Sequence, residues 1–491
     1  MKFYKKITEK SKSNSLVVLV SEDTDSINFS NDSVNLLFSE SLSNEDLSSL
    51  GKITVLHTPD SLYKNFNFLR IICMGVGRLE EIDSNKIRRA AGSFGRYFLD
   101  SKLSDLSFYV DSIKSNKSKD TDLIIESFFE GFFLGNYIFD KYKSKKSEKK
   151  DVFFEVVSSE ISNIQDIVNK SYEKSEAEKF ARDLVNEPAN VLTPTELSNI
   201  ANIKTDKSIS CKILSKEECA KLGMNAFLGV SQGSIEEPKL IHLSYNPLKN
   251  ENSYWYIGKA ITLDSGGLSL KPSGSMFSMK GDMGGSAAVI AAINAIANLK
   301  LKVNIDVLCL ATENMPSGSA QRPSDVVRAM NGTYIEVENT DAEGRLTLAD
   351  AITYAKGFDP KFIIDIATLT GAASIGLGKG NISAFSNNKD FMDKVKLAGD
   401  ITGDFVWQLP LDSTSKKQNN STVADIKNTG GRLAGTITAA HFINHFVEEV
   451  PWVHLDIAAN SMTSSNDGWH NRGATGIPTR LLIELAYIFE K

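Results

Sequence analysis

Short continuous apolar runs alternate with amphipathic stretches through the first 150 residues. Leu16–Val20 and Leu69–Met74 are bounded by polar residues or glycine, which predicts buried strands. Ile87–Asp100 and Asp122–Tyr142 predict helices, the second with Phe, Leu and Ile on one face. Gly75-Val76-Gly77 follows a strand and suits either a phosphate-binding turn or a plain strand-to-helix turn. Val152–Val157 predicts another strand. A long helical pattern from about Glu160 to Val185 stops near Asn186-Glu187-Pro188, because the residue before proline disfavours helix. Strands alternating with helices specify an α/β layer structure.

The pattern then changes character. Tyr254–Ile257 predicts a strand ending at Gly258, and Gly284–Leu299 a helix with one face of small residues. Val303–Ala311 and Phe362–Ala367 are apolar throughout, as in strands covered on both faces. Glycine- and polar-rich segments follow these strands, where open α/β sheets place their ligands. A domain boundary is expected at about residue 165, dividing the chain into domains 1–165 and 166–491. Lys141–Lys150, with six lysines and one glutamate, is the sharpest composition break and predicts a solvated helix end or surface loop.

Composition narrows the function classes. The chain has 491 residues, 41% hydrophobic and 24% charged, which excludes disorder or a fibrous repeat as its main character. Its 55 Lys+Arg against 61 Asp+Glu leave a net charge of −6, which argues against a sequence-independent nucleic-acid binder. Cys73, Cys211, Cys219 and Cys309 are too scattered for a disulfide framework and suit a reducing compartment. Leu16–Val20 runs directly into Ser-Glu-Asp, unlike a signal-peptide core, and no stretch approaches the ~20 apolar residues of a membrane span. A cytoplasmic protein with no membrane partner is expected.

Two segments carry the chemistry. In Asn339-Thr340-Asp341-Ala342-Glu343-Gly344-Arg345-Leu346, an extended chain would turn Asp341, Glu343 and Arg345 to one side. Two carboxylates that close repel unless a cation or a proton intervenes; a surface strand with a Glu343–Arg345 salt bridge is the plain alternative. The segment from Gly258 to Gly285 adds Lys259, Asp264, Lys271 and Asp282 in a glycine-rich setting. Asp264, Asp282, Asp341 and Glu343 converging on one crevice call for polyvalent cations, and oxygen-rich ligand sets suit hard or borderline divalent ions. His441 and His445 have the spacing of a zinc-protease helix, but Phe442 stands where the general-base Glu belongs. No Ser-His-Asp arrangement stands out, so a hydrolase here would be run by carboxylates and lysines.

GKAITLDSGGLSLKP, MKGDMGGSAA and NTDAEGRLTLAD resemble the signatures of the leucyl (cytosol) aminopeptidase family, peptidase family M17. The resemblance runs from about Ala181 onward, taking in Glu313–Pro316, Thr368–Gly371, Arg432–Ala440 and His454–Ala458; residues before 165 are compatible only in their α/β pattern. It implies a smaller N-terminal, macro-like α/β domain and a larger catalytic domain whose mixed, mainly parallel sheet lies between helices. It also implies two divalent ions, Mn²⁺ or Zn²⁺, with Asp264 and Glu343 bridging them. Lys259 and Asp282 would complete the tighter position, and Asp341 the exchangeable one. Lys271 would polarise the scissile carbonyl, and Arg345 would hold a bicarbonate ion that relays a proton.

Met279, Asn339, Ala342, Thr368, Leu369 and Gly371 match positions bordering the substrate pocket, although plain core packing competes for Met279 and Leu369. Ala260, Leu263, Gly281 and Ser324 depart from the family pattern without removing a ligand. The implied protein is a homohexamer that releases leucine-like residues from peptides with a free N-terminus. Two rivals differ in class: a DNA-binding or regulatory accessory role, to which Lys141–Lys150 would lend a basic patch, and another two-metal hydrolase such as a phosphoesterase.

Overall fold

The apolar runs become strands of two separate sheets. A computed structural model describes residues 2–4, 13–22, 47–58, 68–101, 103–110, 121–146, 153–157, 163–204 and 206–490. The chain divides into one unit of Met1–Glu176 with Ser465–Asn471, and another of Ala177–Ser464 with Arg472–Lys491. Both are α/β, and the division falls inside the helix Ile164–Asn186. Among the described residues no helix is long and apolar enough to cross a membrane.

The first unit holds β1 (Lys2–Tyr4), β2 (Ser15–Ser21), β3 (Ile53–His57), β4 (Arg70–Gly77), β5 (Asp105–Tyr109) and β6 (Phe153–Val157), in the order β1-β6-β5-β2-β4-β3. Only β3 runs antiparallel to its neighbour. Gly75 lies within β4, where an added Cβ would come within 2.1 Å of the Ser49 carbonyl, so the Gly75-Val76-Gly77 motif serves close packing at a strand end. The second predicted helix is shorter than its apolar pattern, Thr121–Gly135. It crosses the helix Ser84–Asp100 through glycines: a Cβ on Gly131 would meet Arg88 O at 2.2 Å, and one on Gly135 would meet Gly92 O at 2.0 Å. Asn471 Nδ2 then donates to the carbonyls of Gly135 and Tyr137, drawing the chain out of the helix. Lys141–Lys146 are exposed, as predicted for this run, whose remainder lies outside the described residues.

The second unit continues with β7 (Ser210–Leu214), β8 (Lys239–Tyr245), β9 (Tyr254–Asp264), β10 (Ile305–Asn314), β11 (Val326–Arg328), β12 (Tyr334–Glu336), β13 (Phe362–Ala367), β14 (Ile382–Ser386), β15 (Val406–Gln408), β16 (Ile426–Lys427) and β17 (Trp452–Asp456). Eight of these form the main sheet, in the order β15-β14-β17-β13-β9-β10-β8-β7; its centre, β17-β13-β9-β10, is parallel. Strands β10 and β13 are buried along their whole length, as continuous apolar strands between two helical layers must be. A small sheet of β11, β12 and β16 lies apart from it.

Strand β9 does not stop at Gly258, as its sequence suggests, but continues to Asp264. Gly258 is there for packing: a Cβ would fall 2.5 Å from Ser286 Cα, and one on Gly285 would fall 2.0 Å from Ile366 O. The two glycines let the helix Gly284–Asn298 press its first turn onto β9 and β13, which sets the height of Asp282 over the sheet. Gly285→Ala would force backbone apart, and overpacking of this kind costs about 1–3 kcal/mol. We expect a lower urea midpoint for this unit, read by the fluorescence of buried Trp255 and Trp452; an unchanged midpoint would refute the packing role.

Candidate metal centre

Asp264 ends β9 and Asn314 ends the adjacent β10, both buried. Asn314 Nδ2 donates to Asp264 Oδ1 at 2.8 Å and to the Thr340 carbonyl at 3.0 Å, while the Gly266 N–H donates to the same aspartate oxygen at 2.9 Å. Gly266 has φ +87, and a Cβ there would lie 2.5 Å from Ser269 O; the turn therefore demands glycine. It returns the chain so that Lys271 Nζ sits 2.8 Å from Asp264 Oδ2 and 2.6 Å from Asp341 Oδ1.

Lys259 projects from within β9 and is buried. Its Nζ is 2.8 Å from Asp282 Oδ2, 2.8 Å from Glu343 Oε1, and donates to the Thr368 carbonyl at 3.0 Å. Thr368 Oγ1 donates in turn to Asp282 Oδ1 at 2.7 Å. Gly344 makes room for this lysine, since a Cβ there would lie 2.5 Å from Lys259 Cε.

The Asp341–Arg345 stretch is not extended. Asn339 Oδ1 accepts the Asp341 N–H at 2.8 Å, and the Ala342 N–H returns to the Asn339 carbonyl at 3.2 Å. That asparagine-led turn overrides strand alternation, and the helix Gly344–Lys356 begins directly after Glu343. The carboxylates converge all the same: Asp264, Asp341 and Glu343 each offer an oxygen within 4.8 Å of the others. Arg345 stands in the first helical turn, where its Nη1 donates to the Asn428 carbonyl at 2.8 Å. Among the described residues no ion pair joins it to Glu343, and its buried Nε has no hydrogen-bond partner.

Burial raises the pKa of Asp264, Asp341 and Asp282, the last well above the ordinary carboxylate range, and Glu343 adds repulsion at Asp264 and Asp282. Burial alone would lower Lys259 and Lys271, but the surrounding carboxylates outweigh it and hold both as cations. Arg345 is lowered by burial to about 10 and stays charged at neutral pH. Each of the four carboxylates contacts a lysine, but two lysines serve four carboxylates, so with all four ionised two negative charges stay uncompensated by these contacts. Glu343 Oε2 is buried with no hydrogen bond among the described residues. Excess negative charge and an orphaned carboxylate oxygen are what a divalent-cation site requires, so the residues fit the metals.

These groups face a cleft of about 550 Å³ at the carboxyl ends of the parallel strands. Met279, Asn339, Ala342, Thr368, Leu369 and Gly371 line it, together with Lys259, Asp264, Lys271, Asp282, Asp341 and Arg345; Glu343 is buried beside Lys259. His441 and His445 lie on the helix Gly435–Val447 and are not among the lining residues. Sequence reasoning missed Asn314, Thr340, Asn428 and Asp456. Asp456 accepts the Leu369 N–H and the Thr370 Oγ1 hydroxyl, and so holds the loop before Gly371. Asn314, Thr340 and Asp456 lie within the stretches that carry the family resemblance and Asn428 lies outside them, and no spacing marked what any of the four binds.

The catalytic-domain model of the cytosol aminopeptidase family matches residues 179–483, and that family's N-terminal-domain model matches residues 17–146. A probable cytosol aminopeptidase of Clostridium tetani (strain Massachusetts / E88) is 38% identical over 480 residues, 96% of this chain and 97% of that protein. One from Solibacter usitatus (strain Ellin6076) is 41% identical over 420 residues, 85% and 86% of the two chains. Among solved structures, the bottromycin maturation enzyme BotP in complex with Mn matches with a TM-score of 0.86 at 29% identity, covering 98% of this chain and 100% of that one. The cleft therefore belongs to a peptidase of the metal-dependent aminopeptidase class. The chain is a member of the cytosol aminopeptidase family. That assignment lends no support to a DNA-binding role or a phosphoesterase.

If the uncompensated charge is a cation site, divalent metal must stabilise the folded unit. At about 100 times its Kd a ligand adds about 2.7 kcal/mol, so Mn²⁺ should raise the Tm of chelator-treated protein by at least about 2 °C. Glu343→Gln should abolish most of that shift. A Tm indifferent to Mn²⁺ and Zn²⁺ would contradict the site.

Proposed function

We propose that this protein removes N-terminal residues, preferably leucine-like ones, from peptides by two-metal hydrolysis. The observation that carries the proposal is the convergence of Asp264, Asp341 and Glu343 on one point with Lys259, Asp282 and Lys271 in contact around it. Asp264 and Glu343 would bridge the two ions, Lys259 and Asp282 would complete the tighter position, and Asp341 would complete the exchangeable one with its carboxylate and main-chain carbonyl. Two bound divalent ions, Mn²⁺ or Zn²⁺, supply a water of lowered pKa and a Lewis acid for the substrate carbonyl.

The chain's own residues divide the remaining work. Lysine can ligate only when neutral, so Lys259 would hold a metal as the neutral amine, its proton passed to solvent and the metal's charge balancing Asp282 and Glu343 in its place. Engagement of Asp264 and Asp341 elsewhere would free the Lys271 ammonium to face the substrate carbonyl, where it stabilises developing negative charge. Arg345 offers a buried cation with an unused Nε–H, which suits it to retain a small anion such as bicarbonate for proton relay. Met279 and Leu369 give the cleft apolar wall, and Ala342, Thr368 and Gly371 leave room for a branched aliphatic side chain. Phe277, Ile375 and Leu433 are exposed apolar groups that subunit contacts in a homohexamer would cover. A cytoplasmic location is consistent with four scattered cysteines, three of them buried.

The deciding experiment combines elemental analysis of purified protein with activity on a panel of aminoacyl amides after each metal is restored. Leucyl amide should be the best substrate, and Asp264→Ala or Glu343→Ala should cost at least about 10³-fold in kcat/KM, as loss of metal catalysis does. Lys271→Met should lower kcat by about 10²–10³-fold, as for loss of a transition-state charge donor. Full activity in metal-stripped Glu343→Ala protein would sink the proposal, and equal turnover of all side chains would sink its leucine preference.

A further inference from the structure

Asn428 follows β16 and is 0% exposed. Its Oδ1 accepts the N–H groups of Glu338 at 2.9 Å and Asn339 at 3.3 Å. Its Nδ2 donates to the carbonyls of Asn339 at 2.7 Å and Ala342 at 3.3 Å. Four backbone groups of the stretch 338–342 thus close on one side-chain amide, two needing an acceptor and two a donor. A carboxamide supplies two N–H donors and an accepting oxygen; an ionised carboxylate has no donor and a hydroxyl only one. The Asn428 main chain is tied as firmly: its N–H donates to Glu336 O at 2.9 Å, extending the β12–β16 pairing, and its carbonyl receives Arg345 Nη1 at 2.8 Å.

The clamped stretch carries Asp341, with Glu343 and Arg345 directly behind it. Asp341 is otherwise held by Lys271 and by its own short turn to Asn339. We infer that Asn428 is a positioning residue for the metal centre, fixing the Asp341 turn against the small sheet so that its carboxylate meets Asp264 and Glu343 at one point. This inference rests on the proposed role of Asp341 as a ligand. Losing the amide removes the partner it gives to the Glu338 and Asn339 N–H groups and the Ala342 carbonyl, and leaves the Asn339 carbonyl only the Ala342 N–H at 3.2 Å; a turn loosened in this way populates geometries in which Asp341 points elsewhere.

The test uses the full chain, stripped with chelator and titrated with Mn²⁺ by calorimetry. Asn428→Ala and Asn428→Asp should weaken Mn²⁺ binding about 10–100-fold, the usual effect of removing a partner that orients a metal ligand. Reloaded at saturating Mn²⁺, both should show a lower kcat for leucyl amide with KM moving less than about threefold, since the interaction lost acts at the reacting centre. Val395→Ala, a buried cavity substitution in the helix Lys389–Thr402, controls for lost stability: it should lower Tm and leave Mn²⁺ affinity alone. Wild-type Mn²⁺ affinity in both Asn428 variants would overturn the inference, as would an equal loss in Val395→Ala. Wild-type protein that takes up no Mn²⁺ would instead overturn the metal reading itself, and this role with it.

Discussion

The Lys259 ammonium, within 2.8 Å of both Asp282 and Glu343, ties together the strand, the helix start and the loop that build the centre. A buried cation between carboxylates is a strong restraint, because every partner drawn away leaves a charge uncompensated in a medium that solvates it poorly. Yet the restraint is incomplete. Lys259 and Lys271 cannot neutralise Asp264, Asp282, Asp341 and Glu343 together, and burial pushes three of these carboxyls toward their protonated forms. The centre is therefore assembled with a deficit of positive charge, and that deficit makes it receptive to divalent metal. Stability and function compete in the same few residues, as they do at strained or charged active sites generally.

That electrostatic cluster depends on close packing beneath it. Gly258 and Gly285 bring the helix Gly284–Asn298 against the sheet, and Gly344 clears the volume that Lys259 occupies. Without these absences of side chain, Asp282 and Glu343 could not approach the same ammonium. The fold holds the other side of the cleft by hydrogen bonds: Asp456 secures the loop before Gly371, and Asn314 links the ends of β9 and β10 to the Thr340 carbonyl. Two of the loops that line the cleft are thus fixed by a buried polar group on a regular element, Asp456 in β17 and Asn314 in β10.

Much of this was legible in the sequence. Phe362–Ala367 reads as a buried strand and is one, and the helix beginning at Gly284 is plain from its run of small residues. Errors arose where a residue had a tertiary reason that mimics a local one. Gly258 looks like a strand end but marks helix contact within a strand. The pattern after Gly135 stays apolar, yet Asn471, far along the chain, captures the carbonyls that would have continued the helix. Alternation placed Asp341, Glu343 and Arg345 on one face of a strand, whereas Asn339 folds them into a turn and a helix start. Asp341 and Glu343 still met, for a reason different from the one expected.

By itself the sequence determined residue types and short-range order: α/β layering from periodicity, and an acidic, lysine-bearing set of motifs that resembles one peptidase family. These are properties of neighbours along a chain, and pattern records them. Only the tertiary structure decided that Asp264 and Glu343, 79 positions apart, share a point with Asp341, and that Asn428 clasps the turn between them. Such convergence is set by strand order and by glycine-mediated contact between distant elements. Neither leaves a periodic trace in a single chain, because a hydrogen bond or ion pair across a sheet is indifferent to how many residues separate its partners.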